Sequence, residues 1–299
     1  MSGHDFEVMA FKKILHRAKE RRMTEKIVCR VCGQSSIQQA IGRVINGSYP
    51  LLKCLECSTI LTGECHVESK EIYDGLYDQE GLQAYEQHRV EFERIVNGGK
   101  PHRPYQERLL AKVEKMRTGR RMIEIGGGVG IFGKIAVSRG WDYTNYDVSE
   151  IALGYATKLG LKTRLIEDQQ IRLAANSADL IVLWEVIEHI WEVSDYLKII
   201  REALAPNGVL LMSTPNYFRA AYQRSDSWGV GAAPPVHVNF FTEESLNAAL
   251  RFNGFSKNNV FVRRVYLPAG KSLGGALRPL KFLLRLEEPP TLFSISRRS

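Results

Sequence analysis

Residues 122–130 read Met-Ile-Glu-Ile-Gly-Gly-Gly-Val-Gly, and this stretch decides the expected fold. A strand-like pattern runs to Ile125, a glycine cluster follows, and a helical pattern begins at Ile131. This order builds the nucleotide pockets of α/β sheets, because glycine lets a ligand approach the backbone and the helix start offers free N–H groups. The sequence therefore predicts an α/β domain with a nucleotide-like ligand at this turn.

The composition of the 299-residue chain fits one large α/β domain with a small accessory module. Apolar residues make up 44% of the chain, which is enough for a full core. The sequence contains neither a bilayer-spanning apolar run nor a signal-peptide stretch, and we therefore expect a cytoplasmic protein. The net charge of +8 suits an anionic partner: a nucleic acid, a phosphorylated substrate or a membrane surface.

Four of the five cysteines form two Cys-x-x-Cys motifs with the spacing of a zinc ribbon. Cys29 and Cys32 form the first motif, Cys54 and Cys57 form the second, and 21 residues lie between the motifs. Two such turns aim four thiolates at one ion and close a tetrahedral Zn²⁺ shell, which leaves no open position for catalysis. We therefore predict a structural zinc ion. The alternative is four unrelated buried or redox-active thiols.

Two nucleotide-binding patterns overlap in the glycine cluster. Residues 128–133 match the G-x-G-x-x-G of dinucleotide-binding enzymes, and residues 124–130 match the E/D-x-G-x-G-x-G of methyltransferases that use S-adenosylmethionine (SAM). The second alignment is favoured because the apolar strand ends at Ile125, and the first alignment would place two glycines in the strand end. Asp147 ends the next strand-like stretch, where a carboxylate can accept hydrogen bonds from both hydroxyls of a ribose.

From about Arg120 to Tyr266 the chain resembles the class I SAM-dependent methyltransferases, especially ubiquinone-biosynthesis O-methyltransferases and glycan-cluster methyltransferases. The matching stretches are Glu124-Ile-Gly-Gly-Gly-Val-Gly130, Tyr146-Asp147-Val-Ser, Trp184-Glu-Val-Ile-Glu-His189, Leu204-Ala-Pro-Asn-Gly208, Ser213-Thr-Pro-Asn216 and residues 234–246. The cysteine motifs also resemble the zinc module of sugar methyltransferases from carbohydrate gene clusters. The resemblance implies an α/β fold: a Rossmann-like, mostly parallel sheet of seven strands with helices on both faces, plus a small N-terminal zinc ribbon.

The resemblance also implies that SAM lies across the strand ends. The glycines would lie under its amino-acid part, Asp147 would bind the ribose, and Glu167 or Asp168 would bind the adenine. The predicted cofactor-binding residues are Glu124, Gly126, Gly128, Gly130, Asp147, Asp168 and Glu185. The alternative for the acidic residues is that they are ordinary solvated loop carboxylates.

Methyl transfer to a hydroxyl needs a group that accepts the hydroxyl proton, and histidine suits that role near neutral pH. We predict His189 and His237 as catalytic residues, and the alternative for His237 is a structural loop histidine. Helical spacing would place Glu185, Glu188 and His189 on one face, and some relatives use this Glu-x-x-Glu-His stretch to bind a divalent cation. Such a cation would position a substrate oxygen and lower its pKa. The alternative is a helix-capping glutamate and a histidine packed beside the adenosine.

The predicted segments are a basic helix at 1–26, the zinc-ribbon module at 27–69, a helical lid or linker at 70–118, the SAM-binding methyltransferase domain at 119–266 and a basic C-terminal tail at 267–299. In the lid, Tyr73, Tyr77, Tyr85 and Arg89 are candidates to touch cofactor or substrate, and the alternative is a solvated helix whose rings face the core. Leucines and cations at 271–285 suit peripheral contact with an anionic membrane, and the alternative is packing on the domain or on a second subunit.

The sequence thus favours SAM-dependent methyl transfer to a hydroxyl of a sugar, a glycan precursor or another small metabolite. Two alternatives remain open. The zinc ribbon and the basic surface would suit an RNA substrate, whose binding would weaken steeply with salt. A methyltransferase scaffold without activity would suit a partner-binding protein.

Overall fold

The computed structural model describes residues 27–36, 38–44, 49–63, 86–116, 119–167, 170–217, 234–262 and 291–298. The expected basic helix at 1–26 lies outside these ranges, and so do the expected membrane-contact residues at 271–285. Within the ranges, no helix is both long enough and apolar enough to span a membrane.

A central sheet of seven strands organises the protein. In chain order the strands of the described residues are β1 (Ile27–Val28), β2 (Ser35–Ser36), β3 (Gln38–Val44), β4 (Tyr49–Cys54), β5 (Ile60–Thr62), β6 (Arg121–Ile125), β7 (Asp142–Asp147), β8 (Lys162–Leu165), β9 (Ala178–Trp184), β10 (Leu204–Pro215), β11 (Asn239–Phe240), β12 (Phe255–Val262) and β13 (Thr291–Arg298). The central sheet has the order β12-β13-β10-β9-β6-β7-β8. Only β13 runs antiparallel to its neighbours in this sheet. This topology confirms the expected Rossmann-like α/β fold.

Helices cover both faces of the central sheet. The described helices are α1 (Glu86–Val96), α2 (Pro104–Glu114), α3 (Ile131–Ser138), α4 (Glu150–Lys158), α5 (Val193–Ala203) and α6 (Glu243–Phe252). Side chains alternate along a strand, so each strand serves two cores. On β9, Leu180 and Val182 belong to the core with α2, α3 and α4, whereas Ile181 and Leu183 belong to the core with α5 and α6. Burial of each such side chain contributes about 1.5–3 kcal/mol.

Helix α2 lies in the segment expected to be a helical lid or linker, and it packs into the core. Leu109, Leu110 and Val113 are buried in the same core as Phe293 of β13. The ring of Tyr105 lies 4.6 Å from the ring of Phe293, centroid to centroid. The lid candidates Tyr73, Tyr77 and Tyr85 lie outside the described residues, as does the side chain of Arg89.

A second sheet carries the second cysteine motif and joins it to the main domain, whereas the first motif lies between β1 and β2, which form a separate antiparallel pair. The strand order of the second sheet is β11-β5-β4-β3, and all of its pairs are antiparallel. Strand β11 belongs to the segment assigned to the methyltransferase domain, and it pairs with β5 through Asn239 opposite Leu61 and Phe240 opposite Ile60. Strand addition therefore connects the cysteine module to residues 239–240.

The central sheet extends beyond the expected domain end at residue 266. Strand β13 pairs with β10 from Val209 to Pro215 and also with β12. Its residues Leu292 to Ser296 are buried. The expected boundary is wrong because part of the segment assigned to a basic tail forms an interior strand of the sheet. The arginines at 297–298 end that strand.

Candidate active site

The glycine turn lies at the carboxyl end of β6, in backbone conformations that favour glycine. Gly126 has a φ of +70° and Gly130 a φ of +84°. A Cβ on Gly126 would lie 2.5 Å from the side chain of Val186, and a Cβ on Gly130 would lie 2.4 Å from Leu161. Larger residues would therefore be strained and would clash at both positions. The contact with Val186 places the turn beside the loop that follows β9.

Asp147 ends β7 beside the same turn, as the sequence predicts. Its Oδ2 accepts a hydrogen bond from the N–H of Gly128 at 2.8 Å, and its Oδ1 accepts one from the N–H of Ser149 at 3.0 Å. The residue is buried. These bonds fix the carboxylate at the glycine turn, and each oxygen can accept a further hydrogen bond. Contact with a ribose stays a prediction for this residue.

Glu124 supports the turn from inside the sheet. It is buried and accepts a hydrogen bond from the hydroxyl of Tyr143. Burial raises the pKa of Glu124 to about 7, and it raises the pKa of Tyr143 well above its usual value. Asn145 donates from Nδ2 to the carbonyl of Gly128 at 2.9 Å. Direct contact of Glu124 with a cofactor stays a prediction, and Asp168, the expected adenine ligand, lies outside the described residues.

The segment after β9 is a turn and not the expected helix. Glu185 has a φ of +54°, and its N–H donates to the carbonyl of Ser213 at 3.1 Å. The N–H of His189 donates to the carbonyl of Val186 at 2.9 Å, which closes the turn. Helical spacing therefore does not apply, and Glu185 is exposed while Glu188 is buried. The expected cation site of Glu185, Glu188 and His189 is therefore wrong for Glu185, whose side chain does not join those of the other two residues.

The structure instead groups Glu188, His189 and His237, which we name the carboxylate–histidine cluster. Their ligand atoms all lie within 4.8 Å of one another. The two imidazole rings meet edge to face with centroids 4.6 Å apart. Thr214, at the end of β10, donates from Oγ1 to Oε2 of Glu188 at 2.9 Å. Sequence reasoning assigned no role to Thr214, although the residue lies inside one of the matching stretches.

The ring of His189 is held in one orientation. Its Nδ1 lies 2.8 Å from the carbonyl oxygen of Val236, which can only accept, so Nδ1 donates this hydrogen bond. Nε2 lies 3.9 Å from Oε1 of Glu188. Burial lowers the pKa of His189 to about 4, so this contact is not an ion pair at neutral pH. A neutral imidazole beside a carboxylate suits a divalent cation.

The cysteine cluster, which consists of Cys29, Cys32, Cys54 and Cys57, fits the expected zinc ion. All four residues are buried, and their sulfurs lie within 4.8 Å of one another. The sulfurs of Cys32 and Cys54 are 4.0 Å apart. A tetrahedron with zinc–sulfur bonds of ~2.3 Å has an edge of ~3.8 Å, close to that distance. Hydrogen bonds among the four sulfurs lower the pKa of Cys29 and Cys54 and raise the pKa of Cys32 and Cys57. A bound metal ion would favour the thiolate form of all four.

Both cysteine motifs form the same kind of turn. The N–H of Gly33 donates to the carbonyl of Cys29 at 2.8 Å, and the N–H of Ser58 donates to the carbonyl of Cys54 at 2.9 Å. Gly33 and Ser58 both have positive φ angles, of +69° and +60°. Because the two turns are equivalent, they present their sulfurs in the same way to a common centre.

The comparison with protein families decides between the nucleotide-binding folds. A family model for the methyltransferase domain matches residues 100–259, which is more than half of the chain. The chain belongs to this methyltransferase family. Membership and the order of the central sheet together confirm the resemblance to the class I SAM-dependent methyltransferases.

Curated relatives of this methyltransferase domain cover part of the chain. The ubiquinone biosynthesis O-methyltransferase of Rickettsia canadensis is 27% identical over 106 residues, which are 34% of this chain and 45% of that protein. The ubiquinone biosynthesis O-methyltransferase of Caulobacter sp. (strain K31) is 28% identical over 123 residues, which are 37% of this chain and 49% of that protein. The chain thus spans about half the length of the curated relatives it matches.

A solved methyltransferase structure shares the fold at lower identity. Phosphoethanolamine N-methyltransferase 2 of Haemonchus contortus, in complex with S-adenosyl-L-methionine, superposes with a TM-score of 0.56 and 17% identity. The match covers 78% of this chain and 60% of that chain. At this identity the likeness supports the fold alone.

Proposed function

We propose that this protein transfers a methyl group from SAM to a hydroxyl of a small molecule, such as a sugar, a glycan precursor or another small metabolite. One observation carries the proposal: the glycine turn and the carboxylate–histidine cluster lie at the same edge of the sheet. The contact between Gly126 and Val186 joins the turn to the loop that bears two members of the cluster. A donor pocket and groups suited to activate an acceptor are thus adjacent.

The donor would lie against the glycine turn. Helix α3 begins directly after Gly130, and its first N–H groups suit a negative or polar group of the donor. Asp147, fixed at the turn, would accept hydrogen bonds from the ribose hydroxyls. Asp168 is proposed for the adenine, and an exposed Glu185 at the end of β9 is proposed to contact the donor from the other side.

The chemistry requires a proton acceptor beside the acceptor hydroxyl. A lone pair of the acceptor oxygen forms the bond to the methyl carbon, and the carbon–sulfur bond breaks with its electron pair left on sulfur. The hydroxyl proton goes to a base of the protein. His237 is the proposed base. His189, whose pKa burial lowers to about 4, is a poor proton acceptor near neutral pH and would instead orient the substrate or bind a cation.

The carboxylate–histidine cluster also fits a divalent cation. Glu188, His189 and His237 would hold it, and the hydrogen bond from Thr214 orients the carboxylate. In that case His237 would be a ligand and not the proton acceptor. A cation bound there would lower the pKa of a coordinated hydroxyl. Three protein donors leave room for substrate oxygens, whereas the four thiolates of the cysteine cluster do not.

The matched relatives support a hydroxyl acceptor, because the ubiquinone biosynthesis enzymes are O-methyltransferases by name. The Haemonchus contortus enzyme is an N-methyltransferase of the same fold, so the fold does not set the acceptor atom. The sugar and glycan acceptors rest on the resemblance of the cysteine motifs to the zinc module of sugar methyltransferases.

Calorimetry with SAM tests the donor site. The change is Asp147→Ala, and the control is Asp142→Ala, at the exposed start of the same strand, where the carboxylate pairs with Lys162. We expect Asp147→Ala to weaken SAM binding more than about tenfold, because a pair of ribose hydrogen bonds is lost. Asp142→Ala should bind SAM as the wild type does. Equal affinity of both variants would remove the ribose assignment, and a folded wild type without SAM affinity would favour a non-catalytic scaffold.

A screen with labelled SAM tests the acceptor. Nucleotide sugars, free phenols and RNA would be offered separately to the wild type and to His237→Ala. Label on a sugar or a phenol that disappears in the variant supports the proposal. Label on RNA alone, with binding that weakens steeply as salt rises, would replace the small-molecule acceptor with a nucleic acid.

A further inference from the structure

The first cysteine motif is fixed against the main domain through its backbone. The carbonyl of Arg30 accepts a hydrogen bond from the N–H of Ser194, near the start of α5, at 2.8 Å. The carbonyl of Val31 accepts one from Nδ2 of Asn253 at 2.9 Å. A Cβ on Gly33 would lie 2.6 Å from Oγ of Ser194, so the motif packs closely on α5. The turn that holds two of the four sulfurs is therefore part of the domain interface.

The side chain of Arg30 extends this interface toward the active site. Its guanidinium donates to the carbonyl of Thr62 at 2.9 Å and to the carbonyl of Val238 at 2.8 Å, and its Nε donates to Oδ1 of Asn239 at 3.2 Å. The guanidinium carbon lies 3.8 Å from the centre of the Trp191 ring. A planar guanidinium can form these bonds in several directions while it stacks on a ring, and a lysine ammonium cannot.

Arg30 contacts both loops that carry the carboxylate–histidine cluster. Val238 directly follows one histidine of the cluster, and Trp191 lies two residues after the other. The N–H groups of Val238 and Asn239 both donate to the carbonyl of Glu188, at 2.9 and 3.1 Å. Val238 and Asn239, two of the residues that Arg30 binds, therefore also join the two loops to each other.

We infer that Arg30 is a positioning residue for the carboxylate–histidine cluster, and that the metal ion of the cysteine cluster holds Arg30 in place from its other side. Arg30 lies between Cys29 and Cys32, so its backbone is fixed by the turn that these two ligands form. The expected effect of Arg30 on kcat rests on the proposed function. In this view the cysteine module also holds the two loops of the active site in position.

Two substitutions test the role, Arg30→Met and Arg30→Lys. Arg30→Met keeps a long side chain and removes every hydrogen bond of the guanidinium. We expect its kcat to fall about 10- to 100-fold, because loss of a supporting hydrogen-bond partner or a small misplacement of a catalytic group costs that much. The dissociation constant for SAM and the zinc content should stay near wild type, since neither the glycine turn nor the sulfurs change. Arg30→Lys should recover part of the lost kcat.

Arg121→Met is the matched control. Arg121 also makes several hydrogen bonds, to Asp179 and to the carbonyl of Asn176, but it lies at the start of β6, on the edge of the sheet opposite the site. Its loss removes an arginine network of similar size without touching either loop. Arg121→Met should therefore keep the kcat of the wild type.

A readout that needs no turnover separates this inference from the proposed function. The imidazole ¹H–¹⁵N resonances of His237 should shift in Arg30→Met and keep their wild-type positions in Arg121→Met. Unmoved resonances together with an unchanged kcat would overturn the positioning role. A parallel loss of zinc, SAM affinity and kcat in Arg30→Met would also overturn it, because Arg30 would then only support folding. If the wild type transfers no methyl group, the proposed function fails, and the His237 resonances still decide the role of Arg30.

Discussion

The cysteine cluster and the carboxylate–histidine cluster are both suited to a metal ion, and they differ in donor type, number and access. The cysteine cluster has four soft sulfur donors, all buried, on two equivalent turns. The carboxylate–histidine cluster has three harder donors, one carboxylate oxygen and two imidazole nitrogens, and the side chain of His189 is 18% exposed to solvent. A closed set of thiolates can only hold structure together, whereas an open set of oxygen and nitrogen donors can also bind a substrate. Donor number and access thus suit the cysteine cluster to a metal ion that stabilises the fold. They suit the carboxylate–histidine cluster to the proposed cation that would bind substrate.

The largest effect is expected from Cys54→Ser, which breaks the closed cluster. A structural zinc site of this kind contributes ~10 kcal/mol or more to the folding of a small module, so loss of one thiolate should release the ion and unfold the module. Zinc content and the thermal unfolding curve measure this. The control is Cys65→Ser, which lies outside the described residues and should keep the zinc. Full zinc content in Cys54→Ser would show that the cluster is not the metal site.

His237→Ala tests the open cluster, where we expect lost chemistry without lost folding. Turnover should fall about 10²- to 10⁴-fold, the usual range for a proton-accepting group, while SAM affinity stays close to wild type. Single-turnover kinetics and calorimetry measure the two quantities. His102→Ala, at an exposed loop position, should leave both unchanged. If His237→Ala instead lost SAM affinity and kept turnover, the histidine would belong to the donor site.

Glu124→Gln tests a buried carboxyl group that belongs to neither metal cluster. Burial raises the pKa of Glu124 from 4.5 to about 7, so between these values the folded state keeps a proton that the unfolded state has released. The stabilising contribution is therefore complete below about pH 4.5 and is lost as pH rises through about 7, by roughly 3 kcal/mol in total. The free energy of unfolding, measured by denaturant titration at several pH values, should fall less steeply with pH in Glu124→Gln. Parallel slopes for the two proteins would contradict the assignment.

The smallest effect is expected from Thr214→Val, which removes one hydrogen bond to Glu188. Stability should fall by about 1–3 kcal/mol, and cation affinity at the open cluster should fall about 10- to 100-fold, because second-shell partners orient metal ligands. Titration with Mn²⁺ followed by paramagnetic resonance measures the affinity. Thr157→Val, which removes a hydroxyl of α4 that bonds to Leu153, should change stability alone. Equal Mn²⁺ affinity in the two variants would remove Thr214 from the site.

The sequence predicted those parts of the structure that consecutive residues form. The strand, glycine turn and helix of residues 122–138 follow from consecutive residues, as do the two cysteine turns. The grouping of His237 with Glu188 could not be predicted, because it depends on a left-handed Glu185 that turns the chain away from a helix. The role of Arg30 was hidden for a similar reason: it occupies a spacer position between two cysteines, and its partners lie 32 to 209 residues away in sequence.

The interior place of β13 has a consequence during synthesis. Strand β12 ends at Val262 and β13 ends at Arg298, 36 positions later, yet β13 must enter between β12 and β10. At a translation speed of 5–20 residues per second, the edges of β10 and β12 that face β13 stay unpaired for roughly 2–7 seconds. Unpaired strand edges can pair with other chains and cause aggregation, so a chaperone would help the protein most during this interval.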